Sequence, residues 1–298
     1  MFGRRPDGRR LKGVDPIVQI TPYLMPMRCD AQVLLEHKVD FEQLTRYIGK
    51  KAAEGEKITF MNIIIAAYVR GISQNPQINR FIKNKQCYAR NNISVSFTVL
   101  KERNHNSEES TVRIEFDPTD TIFDVRDRMN AAVEANRGES TEGTPFVDKL
   151  AKGVLAVPGL ANVIVGLVRF LDRYGLAPGS LIMELPFYSS LFITNNASIG
   201  LHHVYHHIYN FGTVSAFFGM GSVLKEATVD ANGKARMKRW LPIGITIDER
   251  ITSGAHYAAF FADVVRCLNN PELLEQPPEK VIYDEGVEFH VPKVNQAK

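Results

Sequence analysis

Apolar and polar residues alternate from Val33 to Val39, the period of a strand with one buried face. The stretch "DFEQLTRYIGKKAAEG" then changes to a helical period, with Asp40 placed to cap the helix and Gly55 to stop it. "TFMNIIIAAYVRGISQ" predicts a second helix, capped near Thr59 and ended before Pro76. Its run Ile63–Ala67 is too apolar for a surface helix, so most of it is expected in the core. "KQCYARNNISVSFTVLKE" predicts a short strand, a turn at Asn91–Asn92 and a longer strand. "STVRIEFDP" pairs back with it across the polar loop "NHNSEES". "TIFDVRDRMNAAVEANRGE" closes this half as an amphipathic helix, capped by Asp120 or Thr121.

The pattern changes at Pro145–Tyr188, which is nearly all apolar between Leu160 and Leu171. A membrane span needs about 20 apolar residues. Here Pro158, Gly159 and Gly166 interrupt the run, and Arg169 and Asp172 close it. No transmembrane segment is expected. Core packing or a subunit contact is the expectation, with docking onto a membrane or an acyl chain as the alternative. β-rich sequence follows, with strands expected at Phe192–Ile193, Val204–Tyr209, Ser215–Gly219, Val223–Val229 and Met237–Ile247. Asn232–Gly233 is the hairpin signal between the last two. The glycines of "FGMGSV" read as a bulge or close packing. A final helix is predicted over Ala255–Leu268, and a polar tail follows Leu274. Strands and helices interleave without regular alternation, which favours an α/β sandwich over a doubly wound sheet.

Composition changes this picture little. Of 298 residues, 44% are hydrophobic and 23% charged, ordinary values for a chain able to bury a core without disulfides. Three widely spaced cysteines and no leader-like pattern point to a reducing, cytoplasmic setting. The net charge of +3 carries no nucleic-acid signature. Positive charge is concentrated in "GRRPDGRRLKG", read as a solvated basic arm or one that docks on an acidic partner or a neighbouring subunit. No aromatic residues interleave with its arginines, so no nucleic-acid partner is expected.

Two stretches carry candidate chemistry. "HHVYHH" contains His202, His203, His206 and His207. Its β-forming neighbours disfavour a helix, and no carboxylate or cysteine lies close in sequence, so the expectation is pocket-lining or structural histidines with no metal. In "WLPIGITIDERITSGAHYAAFFADVV" a core strand ends on Asp248, Glu249 and Arg250. Charge at the end of a buried strand is costly unless it is paired or used.

Several stretches resemble the catalytic domain of the acyltransferase components of 2-oxo acid dehydrogenase complexes, which has a chloramphenicol acetyltransferase-like fold. "ITFMNIIIAAYVRGISQNPQINRFI" is similar to the family helix that ends in Pro-x-x-Asn. "FITNNASIG" is similar to its Ile-Ser-Asn-Leu-Gly strand and turn, and "FFGMGSV" to its later Gly-containing strand. "DERITSGAHYAAFFADVVRCLNNPELL" resembles its Asp-His-Arg-x-x-Asp-Gly motif and final helix. The likeness covers roughly residues 25–275. It implies a basic arm over 1–24, an acyltransferase-like domain over 25–275 with the apolar insert 145–188, and a tail over 276–298. It also implies an α/β two-layer sandwich of the CoA-dependent acyltransferase type, with a mixed sheet and helices on one face.

The resemblance further implies a homotrimer, or a multiple of three, with sites between subunits. No tightly bound cofactor is implied; coenzyme A or acyl-CoA would be a substrate, and an acyl carrier is a possible ligand. In the family the motif histidine is the general base, a neighbouring subunit's serine stabilises the oxyanion, and the motif aspartate supports the site. Here Glu249 stands at the histidine, Thr194 at the serine and Ser253 at the aspartate. A carboxyl group at about 4.3 is a weak base for a thiol near 8.5. His206 or His207 could supply the imidazole instead, and His256 lies just beyond Gly254. The expected functions are therefore acyl transfer between CoA and a thiol or hydroxyl acceptor at an altered site, or a non-catalytic trimeric scaffold, cage or regulator. About 25 residues precede the likeness, too few for a lipoyl-bearing or subunit-binding domain, so the chain is not expected to be a complete complex core by itself. The runs Ile63–Ala67 and Leu160–Leu171 together exceed what one chain should expose, which also points to assembly.

Overall fold

In the computed structural model, residues 5–100, 109–138, 153–229, 232–285 and 287–294 are described. The Asp40 carboxylate accepts from the backbone N–H groups of Glu42 and Gln43 at 3.0 and 3.1 Å, so strand β2 (Gln32–Asp40) passes directly into helix α2 (Phe41–Ala53). Thr59 and Asn62 form a reciprocal capping box that opens helix α3 (Phe60–Gln74). Ile63–Ala67 lie in α3 and are at most 1% exposed, so this run belongs to the core and offers no surface for assembly.

Strands β5 (Ile93–Leu100) and β6 (Glu109–Phe116) pair antiparallel, and helix α4 (Ile122–Gly138) follows. β7 (Leu191–Asn195), β8 (Ala216–Met220), β9 (Leu224–Val229) and β10 (Ala235–Asp248) complete a seven-stranded mixed sheet in the order β2-β10-β8-β7-β5-β6, with β9 on the outer half of β10. β5, β7 and β8 run parallel and the other pairs antiparallel. Ile193, Phe218, Ile243, Ile245 and Ile247 share one core with α2, α3, α4 and the last helix, α7 (Gly254–Asn269). Period-2 alternation turns Phe192, Thr194, Phe217, Gly219, Gly244, Thr246 and Asp248 to the opposite, outer face. The expected two-layer arrangement of helices on one face of a mixed sheet is present.

Val204–Tyr209 is not a strand. Residues 201–209 run as irregular chain across the outer face of the sheet. A side chain at Gly219 or Gly244 would meet the Val204 carbonyl oxygen at 2.6 or 2.4 Å, so the glycine-bearing strands serve close packing. Ile208 seals this layer with Phe192, Val214 and Phe217.

From Arg5 on, the described N-terminal residues pack onto the fold and are not a solvated arm. Arg5 is buried, and β1 (Gly8–Arg10) pairs with β4 (Gln86–Arg90), which in turn pairs with β3 (Arg80–Lys83). Helix α1 (Pro16–Leu24) follows, started by Asp15, whose carboxylate accepts from Ile17 N–H at 2.8 Å. The C-terminal residues also pack back: Ile282 N–H donates to the Ser73 carbonyl at 2.9 Å, and Arg80 pairs with Asp284 at 2.5 Å.

Of the apolar insert, residues 145–152 lie outside the described residues. Its helix α5 (Leu160–Tyr174) is held between Gly159 and Gly175, both at positive φ, and a short helix α6 (Gly179–Glu184) follows. Within one chain α5 is not core: Val163, Val165, Leu167 and Phe170 are exposed, and Asp172 is its one buried residue. Among the described residues no helix is long and apolar enough to cross a membrane. Val165 is 41% exposed, so Val165→Asp is expected to move the melting temperature by no more than about 2 °C. The same change should alter assembly or ligand binding, read by light scattering and calorimetry. Loss of folding would instead make this face a hidden part of the core.

Candidate active site

The charged end of β10 is mostly a structural lock. Asp248 is fully buried, and Arg250 grips it through Nε at 2.8 Å and Nη2 at 2.7 Å. Arg250 Nη1 donates to the carbonyls of Met25 and Pro26 at 3.0 and 3.3 Å. Arg28 reaches the same carboxylate at 3.4 Å and ties it to the carbonyls of Tyr209 and Gly212. Tyr257 of α7 donates its hydroxyl to the Asp248 carbonyl at 2.7 Å. Asp248 thus gathers the entry to β2 and the loop after the histidines through its carboxylate, and the final helix through its backbone carbonyl. The sequence reading missed Arg28. Its signal was a lone arginine just ahead of the first core strand.

Glu249, between these two residues, is exposed and makes no hydrogen bond or ion pair among the described residues. Ser253 caps α7 by position only, with no side-chain bond to the helix. Its hydroxyl lies 3.1 Å from His256 Nδ1, which also contacts Thr252 Oγ1 at 2.7 Å.

Thr194 sits at the end of β7, opposite Gly219, which lies opposite Gly244. Its hydroxyl is buried with no hydrogen-bond partner among the described residues. From that row to Asp248 is about 13 Å along β10, and two strand spacings add about 10 Å across. A single chain therefore keeps Thr194 and Glu249 on the order of 16 Å apart.

His206 is much nearer to Thr194. Its ring stacks on Phe217 with centroids 4.0 Å apart and planes within 9°. Phe217 is one strand over and two residues back from Thr194, about 8 Å away by strand geometry. His206 Nδ1 lies 2.8 Å from the His207 carbonyl. A carbonyl only accepts, so in the neutral ring Nδ1 carries the hydrogen and Nε2 keeps the lone pair. Burial pushes the His206 pKa below the ordinary histidine value, favouring that neutral form. His207 is exposed and contributes its carbonyl and a 4.6 Å ring stack. Thr246, opposite Phe217, also has a buried hydroxyl with no partner among the described residues, and sequence gave no hint of it. The structure thus gathers His206, Thr194 and Thr246 on one patch of the outer face and leaves Glu249, Ser253 and His256 at the far turn.

Residues 188–275 match the family model described as 2-oxoacid dehydrogenases acyltransferase (catalytic domain), a span that contains every residue discussed above except Arg28 and those at the entry to β2. That span, under a third of the chain, is similar to those catalytic domains. Among solved structures it resembles the cubic core of the pyruvate dehydrogenase multienzyme complex, at 13% identity and TM-score 0.53, over 89% of this chain and 93% of that one. It resembles the truncated catalytic core of the 2-oxoacid dehydrogenase multienzyme complex from Thermoplasma acidophilum at 14% identity and TM-score 0.52, over 88% and 98%. Chloramphenicol acetyltransferase matches at 12% identity and TM-score 0.52, over 88% and 99%. At these identities the structural likeness shows the CoA-dependent acyltransferase fold. No curated protein sequence matches the chain.

Proposed function

We propose that the protein transfers an acyl group between CoA and a thiol or hydroxyl acceptor, at a site on the outer face of the sheet that a neighbouring copy in a homotrimer completes. The observation that carries this reading is the Thr194 hydroxyl, buried and without a hydrogen-bond partner among the described residues, on the same face as an imidazole whose Nε2 keeps its lone pair. In the reaction, Nε2 of His206 takes the proton from an acceptor thiol. The thiolate sulfur attacks the carbonyl carbon of the acyl-CoA thioester. The Thr194 hydroxyl donates to the oxyanion that forms. Collapse breaks the carbon–sulfur bond to CoA, and the departing thiolate regains the proton from His206. The exposed Glu249 is then a positioning carboxylate presented by the neighbouring copy, across the roughly 16 Å that separate it from Thr194 in one chain.

A non-catalytic trimer that keeps the fold is favoured by a different observation. Asp248, Arg28 and Arg250 pair as a structural lock, and the residue between Asp248 and Arg250 makes no hydrogen bond or ion pair among the described residues. Light scattering at micromolar concentration separates these readings from a single-chain protein. A trimer or a multiple of three is expected, and a stable monomer removes the shared site. Acetyl-CoA consumption by the trimer with small thiol acceptors supports transfer; a folded trimer with no turnover supports the scaffold.

A further inference from the structure

Lys83, Lys85, Arg169, Arg173, Arg28 and Arg250 line a cavity of about 450 Å³ with no carboxylate among its described lining residues. Its walls come from five parts of the chain: the end of α1 with the residues up to Arg28, the β3–β4 turn, the end of α5, the loop at Asn210–Gly212 and Arg250. Two carboxylates sit behind the cations. Asp248 pairs with Arg28 and Arg250, and Asp172 pairs with Lys83 and with Arg5 at 2.6 Å. Lys85, Arg169 and Arg173 have no ion-pair partner among the described residues.

The cavity is built to hold those three in place. Asn84 and Lys85 form the two-residue β3–β4 turn with φ of 48° and 58°, a left-handed pair that asparagine tolerates and lysine rarely adopts. The Lys85 ammonium rests 4.6 Å from the Tyr23 ring centroid on α1. Arg173 Nε donates to Asn84 Oδ1 at 3.0 Å. Arg169 stands one helical turn before Arg173 on α5. The deeper guanidinium groups of Arg28 and Arg250 spend donors on backbone carbonyls, so they supply charge more than hydrogen bonds. Burial lowers the Lys83 pKa, against the pull of Asp172.

We propose that this cavity binds a phosphate-bearing anion of at least two negative charges, held by Lys85, Arg169 and Arg173 at its mouth. Two guanidinium forks and an ammonium around one space match several phosphate oxygens, where a single carboxylate would satisfy only one fork. The space also exceeds what one carboxylate fills. Either the diphosphate of a soluble nucleotide-like ligand or the headgroup of an anionic lipid presents this chemistry. The exposed apolar residues Ile20, Leu24, Leu167 and Phe170 on the two helices at the mouth suit either an acyl chain or a lipid surface.

The test needs no acyl transfer, so its failure is separate from that of the proposed reaction. Inorganic pyrophosphate is titrated calorimetrically at low salt into the wild-type protein, the Arg169→Gln/Arg173→Gln double variant, Lys85→Gln, and Lys225→Gln on β9 as a control. Both arginines and Lys85 are exposed, so the variants should fold, and thermal melting checks that. Affinity should fall about tenfold or more in the double variant and less in Lys85→Gln, with no change in the control. No binding to the wild type, or equal weakening by the control, overturns the proposal. Competition by CoA identifies a soluble ligand. Sedimentation with phosphatidylglycerol vesicles that the double variant abolishes identifies a lipid headgroup.

Discussion

Asp248→Asn is expected to lower the melting temperature by on the order of 10 °C. The carboxylate is fully buried and bridges two guanidinium groups that are themselves 3% and 4% exposed. An amide keeps the shape but removes the charge, leaving Arg250 and Arg28 buried without their counter-ion. Breaking a buried pair from one side costs about 3–5 kcal/mol, and each kcal/mol moves the melting temperature by about 2–4 °C in chains somewhat shorter than this one. The cost falls on the entry to β2 and the 209–212 loop, which this carboxylate holds through Arg250 and Arg28, while the Tyr257 bond to the backbone carbonyl is untouched. Glu249→Gln, one residue on, should shift melting by no more than about 2 °C, since that side chain is exposed and makes no hydrogen bond or ion pair among the described residues. Scanning calorimetry of the two variants makes the comparison. Equal shifts would mean that Glu249 is locked into the fold as firmly as Asp248, which the single-chain geometry does not allow.

That contrast also explains what the sequence could and could not reveal. Two of the three charges at the end of β10 answer each other locally, and the cost of burying charge predicts such a pair. The third partner, Arg28, lies 220 residues away in sequence and is joined only by folding. The same limit hides the fate of the N-terminal arginines. Their run reads as a solvated arm, yet Arg5 pairs with Asp172, 167 residues on. Alternation and caps found β2, α2, α3 and the β9–β10 hairpin, because those signals are local. They failed at Val204–Tyr209, where β-forming residues run as irregular chain across the sheet instead of joining it. A segment laid over glycines has the composition of a strand without its ladder partners. The apolar face of α5 was legible as a demand for a partner, but not as a demand that one chain leaves open.

His206→Ala is expected to lower kcat/KM for acyl transfer to a small thiol by about 10²–10⁴, the usual scale for a lost general base. Glu249→Gln should change it only several-fold, and Thr194→Val should act mainly on kcat, because an oxyanion donor is engaged in the transition state. The assignment rests on tautomer and environment together. Nδ1 of His206 is committed to the His207 carbonyl, and stacking on Phe217 fixes the ring, so Nε2 is the open basic atom. Burial lowers the pKa of this imidazole, so the proton-accepting form persists to lower pH than for a free histidine. The rate should therefore stay level as pH falls toward about 6.5 and drop only below it, as the imidazole takes up a proton. In His206→Ala that acid limb should disappear from whatever rate remains. A profile of acetyl-CoA consumption from pH 4.5 to 8 for wild type and variants, with melting curves to confirm folding, decides the matter. If Glu249→Gln abolishes turnover while His206→Ala spares it, the base is the carboxylate brought in by the neighbouring chain, and the histidine patch is only the floor of the site.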